Sequence, residues 1–286
     1  MARLRLKEIL KKTESFFKKV GIDTPRLDAE VLLAEVLDLE RINLYVNFNR
    51  PLTKKEVDEY RELVVKRKKG QPVAYLVGKK EFMSLEFKIT SDVLIPRPET
   101  EHLVGSVLDR IEKRPKEKIK IVDVGTGSGA VIVSIAKLAD KPIVGLATDI
   151  SKPALKVAKE NAHCHQVSEQ IEFREGDLLE PLKEKVDIIA SNPPYIPSSE
   201  WDDLQKEVKE EPRQALDGGK EGLECYKRLI KQAAKKLGDG GFLALEIGVN
   251  QAKAIEDMLS KAGFSKIKKK KDYNDIIRVV TAVIGV

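Results

Sequence analysis

The chain has 286 residues, of which 42% are hydrophobic and 34% are charged, and this length favours two domains of unequal size. No apolar run approaches the roughly 18 residues that a membrane-spanning helix needs, which excludes a membrane protein. The first residues alternate charge with leucine and lack the pattern of a signal peptide, so we expect them to belong to the fold. Two distant cysteines, Cys164 and Cys225, exclude a disulfide scaffold and favour the cytoplasm.

The positive charge is distributed unevenly along the chain. Residues 1–80 contain 19 Lys and Arg against 12 Asp and Glu, whereas the remaining residues contain 33 against 34, so the net charge of +6 arises in the first part. A protein that coats nucleic acid would carry its charge more evenly. The asymmetry therefore indicates two modules with different roles.

The first module has the pattern of a helical bundle. Apolar residues recur at helical spacing over 6–20 and again over 25–37. Thr53, followed three residues later by Glu56, forms a capping box and predicts the start of a third helix. We assign residues 1–78 to an N-terminal helical domain that docks the substrate.

The sequence pattern changes at Pro72. The segments VAYLVG, EFMSLEFKIT and DVLIP are short, alternate in polarity and are rich in aromatic and β-branched residues. We read the region as a β-hairpin linker and place it at 79–98. The remainder, 99–286, is then a third region with its own fold.

In that third region, strand and helix patterns alternate as in a parallel α/β sheet. Helices are expected at 130–138, 153–162 and 226–237, and strands at 119–124, 143–148, 171–173, 186–190, 242–246, 264–270 and 276–283. The last two strands are joined by a short turn that leaves no room for a helix. They must therefore form an antiparallel hairpin.

A glycine-rich turn follows the first of these strands and leads into a helix. It consists of Gly125, Thr126, Gly127, Ser128 and Gly129. Glycines at this position allow a tight turn and let the N–H groups at a helix N-terminus approach a ligand, which predicts a nucleotide-like cofactor. The turn alone also fits the dinucleotide pattern G-x-G-x-x-G/A, and it lacks the Gly-Lys-Ser/Thr of a Walker loop.

Two acidic residues end the second and third strands of the region. Asp149 lies where a carboxylate commonly accepts hydrogen bonds from ribose hydroxyls, although it could instead cap the helix that begins near Ser151. Asp177 could bind an adenine amino group, or it could be an ordinary turn carboxylate. Both residues are candidates for cofactor binding.

The most informative motif ends the fourth strand and consists of Asn192, Pro193, Pro194 and Tyr195. Two successive prolines remove two backbone donors and fix two φ angles, which leaves rigid carbonyls that only accept hydrogen bonds. The Asn192 side chain adds an amide oxygen, and Tyr195 offers an aromatic wall. The motif predicts a receptor for a planar NH₂ group; the alternative, a Pro-rich loop, does not explain its position beside the glycine turn.

At this point the chain resembles the class I methyltransferases that use S-adenosylmethionine, in which an Asp/Asn-Pro-Pro-aromatic motif accepts a planar nitrogen. Further segments are similar to the peptide chain release factor glutamine methyltransferase family, and the similarity spans nearly the whole chain. These segments are TPRLDAE at 24–30, GQPVAYLVG at 70–78, EFM at 81–83, LIPRPETE at 94–101, EP…AL…GG…GL within 211–223, and EIG…Q at 246–251.

The resemblance implies an α/β fold: a Rossmann-like seven-stranded methyltransferase sheet, mostly parallel with a C-terminal antiparallel hairpin, joined through a β-hairpin linker to a small N-terminal helical bundle. It implies that the glycine turn, Asp149 and Asn192 contact S-adenosylmethionine, with Asp177 and Leu178 near the adenine. Many members carry an aromatic residue where this chain has Leu178. The motif of Asn192, Pro193, Pro194 and Tyr195 would hold the substrate glutamine, with Asn192, Pro193 and Tyr195 as its catalytic members.

In this family the substrate is the glutamine of the Gly-Gly-Gln loop of class 1 translation release factors, and the products are N5-methylglutamine and S-adenosylhomocysteine. We therefore expect release factors as partners, no membrane and no direct nucleic-acid binding. The row of lysines at 268–271 fits a charged strand edge better than an RNA contact. Arg97, which lies between two prolines, has two possible roles: an ion pair that stiffens the linker, or contact with the cofactor carboxylate.

Four other functions remain to be weighed. A ribosomal protein glutamine methyltransferase shares most of these motifs, and an adenine N6-methyltransferase shares the Asn-Pro-Pro-Tyr motif but would need a base-reading domain. A nicotinamide dehydrogenase fits the glycine turn alone, and a non-enzymatic translation-binding module would require a degenerate pocket. We expect no metal, because the histidines of His163-Cys164-His165 face different sides of a helix.

Overall fold

A computed structural model describes residues 4–115 and 118–285. The chain divides into two compact units. The first extends to Gly78 and also includes Gln205–Glu210, and the second comprises Lys79–Leu204 together with the chain from Glu211 onward. No helix among the described residues combines the length and the apolar character needed to cross a bilayer.

The first unit is helical. Its helices are α1 (Leu6–Lys19), α2 (Pro25–Val36), α3 (Arg41–Val46), α4 (Lys54–Lys68) and α5 (Val73–Val77). The capping box expected at the start of α4 is confirmed, because the Thr53 hydroxyl accepts from the Glu56 N–H and the Glu56 carboxylate accepts from the Thr53 N–H. The core of the unit is aliphatic and aromatic, with Leu10, Phe17 and Tyr60 among its fully buried members.

Two expectations for residues 72–96 are wrong. The segment VAYLVG contains helix α5 instead of an alternating strand, because Val73, Leu76 and Val77 lie at helical spacing and pack against the core of the first unit. Gly78 then ends the helix in a left-handed conformation, with φ of 73°. The segment DVLIP is not a strand either. The expected hairpin itself is present, as β1 (Lys79–Phe82) paired antiparallel with β2 (Leu85–Lys88).

A buried ion-pair cluster holds Gln205–Glu210 within the first unit. Arg67 of α4 is only 7% exposed, and its guanidinium lies 2.7 Å from both the Asp28 carboxylate and the Glu207 carboxylate. A guanidinium removed from water in this way must keep its partners, because an unpaired buried charge is strongly destabilising. Arg67 is therefore a structural residue of the first unit.

The second unit contains one seven-stranded sheet with the strand order β5-β4-β3-β6-β7-β9-β8. Its strands are β3 (Ile119–Val124), β4 (Ile143–Asp149), β5 (Ile171–Glu175), β6 (Val186–Ser191), β7 (Leu237–Glu246), β8 (Phe264–Lys271) and β9 (Ile277–Ile284). Strands β3 to β7 pair in parallel, whereas β9 pairs antiparallel with β7 and β8. The predicted α/β fold with a final antiparallel hairpin is thus confirmed.

Helices cover this sheet. They are α6 (Glu101–Glu112), α7 (Ala130–Leu138), α8 (Lys152–Cys164), α10 (Glu224–Lys236) and α11 (Ala252–Lys261), while the short α9 (Lys206–Lys209) belongs to the first unit. One core cluster joins β6, β7 and β9 to α10 and α11, and Ile189, Leu245, Tyr226 and Leu259 are fully buried in it. The chain runs from β3 outward to β4 and β5 and then crosses back to β6 on the other side of β3. The carboxyl ends of β3 and β6 therefore form a topological switch point, where open α/β sheets bind ligands.

Candidate active site

A cleft of about 560 Å³ opens at the carboxyl ends of the parallel strands. Residues that follow β3, β4, β5 and β6 line it, among them Gly125, Asp149, Asp177 and Asn192. The volume lies within the range of small-molecule and cofactor sites. The switch point of the sheet thus brings together acidic and amide side chains that are far apart in sequence.

The predicted glycine turn forms one wall of this cleft. Gly125 and Gly127 both line it and have φ values of 69° and 54°, which side chains other than glycine rarely adopt. At Gly129 an added Cβ atom would lie 3.1 Å from the Cβ of Ala158, so this glycine permits the close packing of α7 on α8. Thr126 and Ser128 are buried, and neither lines the cleft.

Asp149, at the end of β4, is tied to the glycine turn. One of its carboxylate oxygens accepts from the Gly127 N–H and the other from the Ser151 N–H, both at 2.9 Å. The cap of α8 is the Ser151 hydroxyl, which accepts from the Ala154 N–H. The alternative that Asp149 serves as the helix cap is therefore wrong, and its carboxylate lines the cleft with lone pairs to spare.

Asp123 is a residue that the sequence analysis missed. It lies next to the end of β3, is 1% exposed, and accepts a 2.7 Å hydrogen bond from the Thr126 hydroxyl. Burial raises the pKa of Asp123 to about 7, and the nearby Asp149 carboxylate adds to the rise. The available signal was an acidic residue among the apolar residues that end β3, just before the glycine turn. The Asp123 carboxyl thus holds the glycine turn in place through Thr126.

This buried carboxyl predicts a pH dependence of stability. Its pKa is higher in the folded protein than in the unfolded chain, so its contribution is fully present at pH below about 4 and is lost as pH rises through about 7. The variant Asp123→Asn has no such proton to lose. We expect its melting temperature, measured by calorimetry, to fall less between pH 5 and pH 8 than that of the wild type, by roughly 3–6 °C. Parallel curves for the two proteins would contradict this expectation.

The residues after β5 form a second wall. Asp177 and Leu178 both line the cleft, and the Asp177 carboxylate forms an ion pair with the guanidinium of Arg228. Leu178 has φ of 52°, and its carbonyl accepts from the Thr148 hydroxyl at 2.9 Å. The predicted adenine-side residues thus reach the cleft, with Asp177 already engaged by a cation.

The Asn-Pro-Pro-Tyr motif follows β6 directly. Asn192 and Pro194 line the cleft, whereas Pro193 is buried behind them. Tyr195 does not line the cleft; it packs against the core cluster, and burial raises its pKa to about 12. The Asn192 amide nitrogen donates to the Thr100 hydroxyl oxygen at 3.3 Å. Asn192 therefore has a fixed neighbour that does not itself line the cleft.

The motif is held in place by residues whose roles the sequence did not reveal. The Gln251 amide donates to the carbonyls of Tyr195 and Gly222, at 2.9 and 3.1 Å, and its oxygen accepts from the Gly248 N–H. At Gly222 an added Cβ atom would lie 2.2 Å from the Tyr195 carbonyl oxygen. Gln251 thus holds the backbone after Asn192 through a hydrogen bond, and the absence of a side chain at Gly222 leaves room for that backbone.

Arg97 was predicted either to form an ion pair that stiffens the linker or to contact the cofactor carboxylate, and the structure shows the ion pair. Its guanidinium pairs with the buried carboxylate of Glu211, which also accepts from the Ile95 N–H at 3.0 Å. Arg97 is not among the residues that line the cleft. The ion pair instead fastens the segment after the hairpin to the segment after the Asn-Pro-Pro-Tyr motif.

The charge of the cleft distinguishes between cofactors. Among the described residues that line it, five are acidic (Asp92, Asp149, Asp177, Asp217 and Glu224) and one, Arg228, is a cation. Such a lining suits a ligand with positive charge, such as a sulfonium with an amino acid group, and disfavours the two phosphates of a dinucleotide. The residues present therefore fit S-adenosylmethionine.

Both parts of the chain match known protein families. The family model of the PrmC N-terminal domain matches residues 8–78, and that of the methyltransferase small domain matches residues 104–276. The chain is 39% identical to the release factor glutamine methyltransferase of Geobacter sulfurreducens over 98% of its own length and 97% of that protein's, and 40% identical to that of Clostridium acetobutylicum over 99% of both.

The chain belongs to the release factor glutamine methyltransferase family. The resemblance seen in its motifs is thereby confirmed. Because members of this family are methyltransferases, the chain is an S-adenosylmethionine-dependent methyltransferase, and the alternatives of a nicotinamide dehydrogenase and a non-enzymatic binding module are wrong.

Solved structures show the same fold at low sequence identity. A methyltransferase from Pyrococcus furiosus superposes with a TM-score of 0.54 at 17% identity, covering 79% of this chain and 98% of that one. A 16S rRNA methyltransferase from T. thermophilus, in complex with AdoMet and guanosine, gives a TM-score of 0.53 at 16% identity, covering 72% of this chain and 49% of that one. This chain thus shares its fold with these two methyltransferases.

Proposed function

We propose that the chain transfers a methyl group from S-adenosylmethionine to the side-chain amide nitrogen of the glutamine in the Gly-Gly-Gln motif of class 1 translation release factors. The product is N5-methylglutamine. The observation that carries the proposal is the position of Asn192, at the switch point of the sheet and in the same cleft as the glycine turn and Asp149. The names of the curated relatives support the choice of substrate.

The residues around the cleft suit each part of the cofactor. The amides of Gly125 and Gly127 can approach its amino acid group, the free lone pairs of Asp149 can accept from its ribose hydroxyls, and Leu178 provides an apolar wall beside the adenine. When bound, S-adenosylmethionine supplies a methyl group carried on a positively charged sulfur. Because a sulfonium and carboxylates attract one another, the acidic lining of the cleft favours binding of the positively charged cofactor.

The substrate amide needs orientation and charge stabilisation. Its nitrogen is a poor nucleophile, because the lone pair is delocalised into the carbonyl. The Asn192 side-chain oxygen and the Pro193 carbonyl are acceptors that would hold both N–H bonds and favour positive charge on the nitrogen during attack. The same two contacts align the nitrogen with the methyl group. No general base is required, because the proton can leave after transfer.

The proposal is tested by competition between substrates. The enzyme is incubated with labelled S-adenosylmethionine and with a purified release factor, a ribosomal protein or DNA in separate reactions. We expect label in the release factor. Label only in the ribosomal protein would favour that alternative, and label only in DNA adenine would overturn the assignment.

Because translation termination takes place in the cytoplasm, the proposed substrate implies that the protein acts there.

The first unit carries an exposed basic surface that we assign to docking. Lys11, Lys12 and Lys19 line a groove on α1 together with Phe16, and the Lys68 ammonium lies 5.7 Å from the centre of the Phe16 ring. Arg67 makes no contribution to this surface, because it is buried in its ion pairs. Exposed lysines steer an acidic partner mainly by raising its association rate.

Reversal of exposed charge on α4 should separate docking from chemistry. We expect the triple change of Lys66, Lys68 and Lys69 to glutamate to lower kcat/KM for intact release factor by roughly 10-fold at low salt and by less at high salt. A short Gly-Gly-Gln peptide should be methylated at the wild-type rate. The matched control reverses Lys266, Lys268 and Lys270 on β8, which changes the net charge equally in the second unit. Equal effects on the methylation of protein and peptide would show that this surface does not dock the release factor.

A further inference from the structure

Two buried residues that do not line the cleft are linked to Asn192. Thr100, just before α6, is 4% exposed, and Glu246, the last residue of β7, is 1% exposed. The Thr100 oxygen accepts from the Asn192 amide nitrogen at 3.3 Å, and Thr100 is the neighbouring side chain whose hydroxyl lowers the pKa of the Glu246 carboxyl. The Oε2 atom of Glu246 is buried and has no hydrogen-bond partner among the described residues. The three side chains thus form a chain of contacts that ends on a carboxylate.

The direction of the hydrogen bonds among these three side chains determines which end of the Asn192 amide faces the cleft. An ionised carboxylate only accepts hydrogen bonds, so the Thr100 hydroxyl must donate its single proton to Glu246. The Thr100 oxygen then has only lone pairs left for Asn192, which must present its NH₂ group to it. The Asn192 oxygen is consequently left for the other side, where a substrate amide has to find an acceptor.

The opposite polarity would disable the site. If Glu246 carries a proton, it can donate to Thr100, and Thr100 can donate to the Asn192 oxygen. The Asn192 amide would then turn its NH₂ group toward the cleft. Two donors would face one another at the substrate nitrogen, and the acceptor on which the proposed function depends would be lost.

We propose that Thr100 and Glu246 are positioning residues that lock the Asn192 amide with its oxygen toward the substrate nitrogen. This inference rests on the proposed function for its catalytic consequence. It differs from a packing role because the lock depends on the direction in which the Thr100 hydroxyl donates. A side chain of the same shape without a hydroxyl would fill the space and lose the lock.

The surroundings of Glu246 set the pH at which the lock operates. Burial is the largest influence and raises the pKa of Glu246 to about 7; the Glu99 carboxylate also raises it, while the Thr100 hydrogen bond and the Arg278 and Arg97 guanidiniums lower it. Among the described residues, the phenols of Tyr195 and Tyr226 also interact with Glu246. The lock is therefore held above about pH 7 and released below it.

The test compares Thr100→Val, which keeps the shape, with Thr100→Ser, which keeps the hydroxyl. On a Gly-Gly-Gln peptide at pH 8, we expect Thr100→Val to lower kcat by roughly 100-fold with little change in the dissociation constant for S-adenosylmethionine, and Thr100→Ser to restore most of the rate. The kcat of the wild type should fall as pH drops through 7. In Glu246→Gln, which cannot titrate, that fall should be absent.

A second measurement does not depend on the substrate. In ¹⁵N-labelled enzyme, the side-chain amide signal of Asn192, identified by its loss in Asn192→Ala, should shift with a midpoint near pH 7 and should lose that shift in Thr100→Val and in Glu246→Gln. If the wild type methylates no Gly-Gly-Gln peptide but its signal titrates in this way, the proposed function fails and the lock stands. If peptide is methylated but Thr100→Val matches the wild type, or if the signal does not titrate, the lock is wrong.

Discussion

Replacement of Asn192 by alanine should lower kcat for a Gly-Gly-Gln peptide by roughly 1,000-fold while changing the affinity for S-adenosylmethionine by only a few-fold. The side chain lies at the end of β6 and lines the cleft, and its amide group is held by Thr100. Its removal would leave the substrate N–H groups without one of the two acceptors that we propose for them. The loss is felt most as charge builds on the nitrogen, so it affects kcat more than binding.

Control variants make this expectation specific. Asn192→Asp keeps an oxygen acceptor at the same position, and we expect it to retain more activity than Asn192→Ala. Asn274→Ala, in the exposed turn between β8 and β9, removes the same kind of side chain far along the chain and should leave kcat unchanged. Steady-state kinetics gives kcat, and calorimetry gives the dissociation constant of the cofactor. Near-normal kcat in Asn192→Ala would show that the amide is not held in this way.

Replacement of Asp149 by alanine should weaken S-adenosylmethionine binding by roughly 100-fold. Its carboxylate lines the cleft and also accepts from the N–H groups of Gly127 and Ser151. The change therefore removes the expected acceptors of the ribose hydroxyls and releases the glycine turn at the same time. Burial raises the pKa of this carboxyl, so binding should also weaken at acid pH, where the protonated group no longer accepts on both oxygens.

A second carboxylate of the same cleft provides the comparison. Asp177 is already paired with Arg228, so Asp177→Ala should weaken binding by roughly 10-fold or less. Calorimetric titration of each variant with S-adenosylmethionine measures both effects. Equal losses in the two variants would mean that the cleft attracts the cofactor by its overall negative charge and not through a specific contact with Asp149.

The fold was largely predictable because its signals are local. Strands β3, β4, β6 and β9 are mostly apolar runs, and the helices that cover the sheet have apolar faces. The turn at Gly125 lies between such a strand and such a helix. The segment Val73–Val77 was predicted wrongly because five residues are too few to distinguish a helical period from an alternating one. Its burial against the core of the first unit decided between them.

The candidate site was predictable in its motifs but not in its supports. Asn192, Asp149 and the glycine turn follow strands, so chain position alone indicated one edge of the sheet. The groups that hold them come from far along the sequence: Thr100 lies 92 residues from Asn192, and Gln251 lies 56 residues from Tyr195. Arg67 stood in a run of exposed cations, and only its contacts with Asp28 and Glu207 reveal it as buried. Such pairings depend on tertiary contacts that no local pattern encodes.

The proposed activity is tested most directly by locating the transferred methyl group. Purified release factor is incubated with the enzyme and S-adenosylmethionine, digested, and sequenced by tandem mass spectrometry. We predict one methyl group on the side-chain nitrogen of the Gly-Gly-Gln glutamine with wild-type enzyme and almost none with Asn192→Ala. A methyl group on any other residue of the release factor, or an unmodified glutamine after prolonged incubation with active enzyme, would contradict the proposal.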